Sequence, residues 1–236
     1  LKKKGFTLYF CLLLIASVLL TGCTRKRVWT YSPDPYARGV PLVDKTVVVL
    51  PLTDAREPAN KEMLSMWLVP LVPFGWANLN TPEGASAHVT SLVWTFDPGK
   101  DMARAIAEEL NNSRIFRKVS FSQKSTDGDF VLSGVIKSTL YRGEKYSYGL
   151  SIFSFSAWLL GFPYGTADNE LYIELTLQDP NTEQVLWKHE SRRGKASTSW
   201  IYTFKPDFFY EDLLKGTMKL EVLPSLKETF AGVSVK

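Results

Sequence analysis

Apolar residues recur along this chain in several spacings, and each spacing predicts a different element. Glu170 to Gln178 alternates most regularly, with Leu171, Ile173, Leu175 and Leu177 on one side and Tyr172, Glu174, Thr176 and Gln178 on the other. That is the period of a half-buried strand. Asp179-Pro180-Asn181-Thr182 is turn chemistry, and Gln184 to Ser191 follows with Val185 and Trp187 on one side, so the two runs predict an antiparallel hairpin with one wet face. Asp129 to Tyr141 predicts another strand, entered from the turn Thr126-Asp127-Gly128. The β-branched run in Lys45 to Pro51 predicts a buried central strand, and Ile115 to Ser122 predicts one more. Helical spacing appears at Met102, Ile106 and Leu110, with Asp97 placed to cap the helix, Pro98 in its first turn and Asn111-Asn112-Ser113 at its end. Phe209, Leu213, Leu214, Met218 and Leu223 predict a C-terminal helix over about 206–230, kinked or divided at Pro224. The order of elements predicts an α/β (α+β) fold: a mixed, mostly antiparallel sheet flanked by helices.

Two stretches break this pattern. No charge occurs between Glu62 and Glu83, or between Lys145 and Asp168, and both stretches are rich in large apolar residues. Connections between core elements usually run about four to six residues and are polar. These two aromatic insertions must be covered by something: by each other and the sheet, by a partner or second copy, or by a bilayer. The candidate contact residues are Trp67, Phe74 and Trp76 in the first, and Phe153, Phe155, Trp158 and Phe162 in the second. Pro70, Pro73 and Gly75 interrupt the first, and Ser151, Ser154, Ser156, Gly161 and Pro163 the second, so neither predicts one spanning helix.

The beginning of the chain has another character. Lys2, Lys3 and Lys4 precede an uncharged run from Phe6 to Leu20, followed by Leu20-Thr21-Gly22-Cys23. A basic start, a short apolar run and small residues make a secretory signal, and the run is short of the roughly 20 residues of a spanning helix. Leu20 to Cys23 resembles the lipobox of bacterial lipoproteins. The resemblance implies cleavage before Cys23, diacylglycerol on its thiol and an acyl group on its freed amine. It also implies the periplasmic face of the outer membrane, because Thr24 stands where Asp would retain a lipoprotein in the inner membrane. The expected organisation is therefore a signal over 1–22, a lipidated tether over 23–44, extended by Pro33, Pro35 and Pro41, and one periplasmic domain over 45–236.

This changes how charge and cysteine content are read. The formal net charge of +4 owes most of its value to Lys2, Lys3 and Lys4, so it gives no support for nucleic-acid binding. Of the two cysteines, Cys11 leaves with the signal and Cys23 carries lipid, which leaves the domain no thiol for a disulfide, a metal or nucleophilic catalysis. His88 and His189 lie in no metal-ligand spacing, and there is no phosphate loop, dinucleotide fingerprint or nucleophile elbow. No catalytic residue, metal or cofactor is implied apart from the covalent lipid.

The order of the mature segments suggests a broader group. Val47-Val48-Val49-Leu50-Pro51, the helix Ala103 to Leu110, Ile115-Phe116-Arg117-Lys118-Val119, Phe130 to Ile136, and Leu175 to Asp179 leading to Val185-Leu186-Trp187 resemble the periplasmic α/β lipoproteins related to the N-terminal domain of the Tol-Pal propeller protein. That group includes the curli secretion-channel lipoprotein. The resemblance implies assembly, binding or export in the envelope without a shared active site. The expected function is a non-enzymatic, outer-membrane-anchored accessory or assembly factor that binds an envelope protein or its own copies. The alternatives are a pore-forming subunit of the curli-channel type and an envelope hydrolase.

Overall fold

The computed structural model describes residues 27–33, 35, 39–90, 94–124, 128–203 and 205–232. The signal, Cys23 and the residues Thr126 and Asp127 of the expected turn lie outside them.

The sheet is organised around one long hairpin. Strand β10, Gly165–Gln178, alternates buried and partly exposed residues along its whole length and pairs antiparallel with β11, Val185–Ser199. Both strands run well beyond the predicted hairpin. Two shorter strands lie end to end along the other edge of β10: β8, Phe130–Ser138, and β9, Tyr141–Tyr146. The single strand expected over 129–141 therefore becomes two, broken at Thr139 and Leu140.

Beyond β8 and β9 the sheet divides into two wings. On the β8 side, β2 (Val43–Val49) and the short β3 (Thr53–Asp54) run parallel to β8, and β7 (Phe116–Phe121) runs parallel to β2. Val47, Val48 and Val49 are buried on both faces, as an unbroken β-branched run demands. On the β9 side, β5 (Phe74–Leu79) pairs antiparallel with β9, and β4 (Asn60–Glu62) with β5. The result is the expected mixed, mostly antiparallel sheet.

Helices cover one face. Helix α1, Pro98–Ser113, begins as predicted: the Asp97 side chain accepts from the Lys100 amide at 3.2 Å, and Met102, Ala103, Ile106 and Leu110 are buried. A short helix, α2 (Ser154–Leu159), lies in the second insertion. The C-terminal helix comes as α3 (Tyr210–Thr217), a wider π-turn (Met218–Val222) and α4 (Leu223–Ala231), without a sharp break. Pro224 lacks the N–H that an α-helix would donate to Leu220, and the π-turn lies where that bond is missing. Polar contacts fix these helices to the hairpin, among them Trp187 Nε1 to Ser225 Oγ at 3.0 Å and Arg193 to Glu221 at 2.7 Å.

The other face is wet. Lys137 bridges Glu174 at 2.7 Å and Glu190 at 2.8 Å, and Lys188 reaches Glu174 at 2.7 Å. Hydrogen bonds from Lys137 and Lys188 hold the Glu174 carboxyl down to about 2.

The segment expected as a tether carries order of its own. Strand β1, Arg27–Val28, pairs parallel with β6, Trp94–Thr95. Trp29 is buried with its ring 5.1 Å from Phe96, and the amide of Ser32 donates to Glu211. Residues 27–32 thus strap onto the domain that they were expected to trail from.

Candidate functional site

The two uncharged insertions meet at the far end of the β5–β9 wing. Three backbone bonds join them directly: Leu71 N–H to Gly149 O at 3.0 Å, and the amides of Ser147 and Tyr148 to Pro73 O, each at 2.8 Å. The hydroxyls of Ser147 and Ser151 donate to the carbonyls of Val72 and Leu68. Trp67 and Trp158 face each other across the junction at 5.9 Å between ring centroids, and the Trp158 indole donates to Tyr146 O at 3.0 Å. Gly75 allows the first insertion to fold back here, because a Cβ at that position would lie 2.0 Å from Leu64 O.

Below this junction is a small core of Ala77, Leu79, Ala85, Val89, Tyr141, Tyr164 and Ala167, with Leu64 and Trp158 packed on it. The part of the insertions nearest the sheet is therefore ordinary interior. In β5 the inward residues are small ones, Gly75 and Ala77, followed by Leu79. This is why a strand there was not legible as an apolar alternation.

The part farthest from the sheet is different. Leu71 is 89% exposed, Leu160 79%, Phe153 70% and Ile152 66%. Leu68, Val69, Leu150, Phe155, Leu159 and Phe162 are also exposed. Together they form an apolar tip carried by two loops, with no charged side chain in either loop. Ordinary surfaces show scattered apolar residues, and a contiguous cluster marks a contact site. The tip also holds backbone in unusual conformations. Leu71, Tyr148 and Ser151 are non-glycine residues with φ of 67°, 55° and 53°, a region that costs an L-residue roughly 1–2 kcal/mol.

The seven residues expected at the contact surface divide. Phe74, Phe153, Phe155 and Phe162 are exposed, whereas Trp67, Trp76 and Trp158 are half-buried. Trp67 and Trp158 form the root of the tip. Trp76 points to the wet face, where it lines a cleft of about 570 Å³ with Asn78, Arg142, Glu144, Thr166 and Asp168. The aliphatic residues Leu71, Ile152 and Leu160, which an aromatic criterion passes over, are among the most exposed apolar residues of the tip. Their signal was the missing charge of the whole window rather than any one residue type.

The two histidines and the buried charges have structural surroundings. His88 is buried edge-on to Tyr141 at 4.9 Å and Phe208 at 5.5 Å. His189 stacks on Trp187 and lies 3.4 Å from Glu221. Asp54 pairs with the buried Arg56 at 2.7 Å, and Glu83 meets the same guanidinium at 2.6 Å. The Arg56 hydrogen bonds hold the Asp54 carboxyl below its usual range. Among the described residues no helix is long and apolar enough to cross a membrane.

No family model and no curated protein matches the chain. Solved structures resemble it distantly. A DUF330-family protein from Xanthomonas campestris has 13% identity and a TM-score of 0.46, with 90% of this chain and 100% of that one covered. A PelC dodecamer from Paraburkholderia phytofirmans has 15% identity and a TM-score of 0.38 over 79% and 92% of the two chains. A hypothetical protein from Chlamydia trachomatis has 8% identity and a TM-score of 0.33 over 81% and 96%. At TM-scores below 0.5 these likenesses carry no functional argument.

They do correct one expectation. The similarities lead to small mixed α/β domains, not to the Tol-Pal propeller protein or the curli channel, and they give no evidence for the lipoprotein resemblance. A strand-helix-strand order with apolar strands is common to many α/β domains, so it was too general to select those families.

Proposed function

We propose that this chain is a non-enzymatic accessory or assembly factor of the bacterial envelope, held to the outer membrane by lipid on Cys23 and making contact through the apolar tip. The observation that carries the reading is the tip itself: ten exposed apolar side chains on two uncharged loops. Burying even one large apolar side chain contributes about 1.5–3 kcal/mol, so a surface of this kind favours being covered. The sequence from Lys2 to Cys23 supports the anchor independently, through its basic start, apolar run and small-residue approach to cysteine. A lipid anchor localises, and the tip supplies a second point of attachment, so the two features suit a protein that works against a membrane or a membrane-bound assembly.

Two measurements in a diderm host test it. Radiolabelled palmitate should enter the wild-type chain and not Cys23→Ala, and density separation should place the wild type with the outer membrane. An unlabelled wild type recovered in the soluble fraction sinks the anchor.

A further inference from the structure

We infer that the occupant of the tip is the hydrocarbon of a lipid bilayer, so that the domain is seated on the membrane at a second point beside its anchor. The inference rests on the lipoprotein reading only for the source of the bilayer. Its main support is how the tip's polar groups are used.

A segment entering hydrocarbon must satisfy its own backbone and hydroxyl groups, because lipid tails offer no partners. Much of the tip does this. Leu71, Ser147, Tyr148, Leu150, Phe153, Leu160, Gly161 and Phe162 all donate their amides to carbonyls within the two insertions. Two serine hydroxyls of the insertions are buried and bonded, Ser147 donating to Val72 O and Ser151 to Leu68 O. Ser156 stays at the surface and donates to Phe153 O at 2.7 Å, and the Ser154 hydroxyl is buried away from the surface without a bond. The phenol of Tyr148 donates to Pro163 O and that of Tyr202 to Leu159 O, each at 2.6 Å. A protein-protein interface behaves otherwise: it carries about one hydrogen bond per 100–200 Å² and has a polar rim. What the tip offers outward is mainly aliphatic and phenyl carbon, with the Ser65 and Ser156 side chains beside it.

The residues are also graded along the tip. Ile152, Phe153, Leu71 and Leu160 are its most exposed side chains, while Trp67 and Trp158 stand at the root and Tyr148 bonds there to Pro163. Rings with one polar end favour the membrane interface. Lys145 lies over the Trp67 ring at 4.5 Å, placing a cation at that same level.

The length of chain before the ordered domain favours a bilayer over a distant partner. Only Thr24, Arg25 and Lys26 separate Cys23 from Arg27, where β1 begins to pair with β6. Four steps of chain span at most about 14 Å. An acylated Cys23 therefore keeps the domain against the membrane surface.

The test uses the chain purified from membranes and returned to vesicles of phosphatidylethanolamine and phosphatidylglycerol. Nitroxide is attached through Phe153→Cys, Leu160→Cys or, as a control on the distant hairpin turn, Thr182→Cys. Relaxation by oxygen, which concentrates in hydrocarbon, is compared with relaxation by a water-soluble nickel chelate. Insertion past the headgroup boundary should raise the oxygen-to-nickel ratio at positions 153 and 160 about tenfold over position 182. A ratio equal to that at position 182 overturns the inference. So does shielding from both reagents with dipolar broadening, which would mean that a second copy covers the tip. If the purified chain carries no acyl group, the lipoprotein reading fails, and the same positions labelled in a Cys11→Ser, Cys23→Ser background in the same vesicles still decide the tip.

Discussion

Trp67 and Trp158 come from segments ninety-one positions apart in the chain, yet their rings lie 5.9 Å apart and lock the two uncharged insertions into one body. This contact separates the interior part of the insertions from the tip. The separation gives opposite expectations for neighbouring residues. Trp158→Ala removes a half-buried ring and the indole bond to Tyr146 O, and should cost about 2–3 kcal/mol. Phe153→Ser removes a largely exposed ring and should change stability by less than about 0.5 kcal/mol. Urea unfolding of both variants measures the difference. Equal losses would make the tip ordinary core.

Leu71 is both highly exposed and held at a φ of 67°. Leu71→Gly should therefore raise stability by up to about 1 kcal/mol, because glycine adopts that conformation without the steric cost. The same change should weaken the tip's attachment. A strained residue kept at an apolar extremity is what a contact role predicts. Lower stability in Leu71→Gly would count against it.

Arg56 is an interior clamp. Its guanidinium is buried between Asp54 of β3 and Glu83 after β5, and bonds Thr139 at the break between β8 and β9. Arg56→Met leaves those carboxylates without their cation and should cost about 3 kcal/mol in a urea titration. A cost below about 1 kcal/mol would show the clamp to be dispensable.

Acid should weaken the fold in a defined direction. The Arg56 bonds lower Asp54, the Thr46 amide and hydroxyl lower Asp129, and Lys137 with Lys188 takes Glu174 to about 2. A carboxyl lowered in the folded state contributes fully above its unfolded value and loses that contribution as pH falls through the folded one. The urea midpoint should hold above about pH 5 and fall steadily toward about pH 2, and Glu174→Gln should flatten the fall. A midpoint that rises on acidification would contradict these assignments.

The fold was legible wherever burial follows a fixed period. Alternation in Leu171 to Leu177, the spacing of Met102, Ile106 and Leu110, and the Val47 to Val49 run each gave the element observed. The β5–β9 wing was not legible, because Gly75 and Ala77 face inward and Thr139 and Leu140 break what reads as one strand. The strap of residues 27–32 was hidden for another reason: its partners, Trp94, Thr95, Phe96 and Glu211, lie far along the chain. The site was visible as two windows without charge. Which residues form its extremity depends on how the two loops fold against each other, and no local pattern encodes that.

If the tip is a contact surface, it is covered in the envelope. Phe153→Cys, Leu160→Cys and Thr182→Cys are labelled in intact envelopes with a water-soluble maleimide. Thr182 lies at the opposite end of a hairpin about 40 Å long, so it reports on general access. Positions 153 and 160 should label at least about tenfold more slowly in envelopes than Thr182→Cys does. Equal labelling of all three positions in envelopes would mean that the tip is uncovered and makes no contact there.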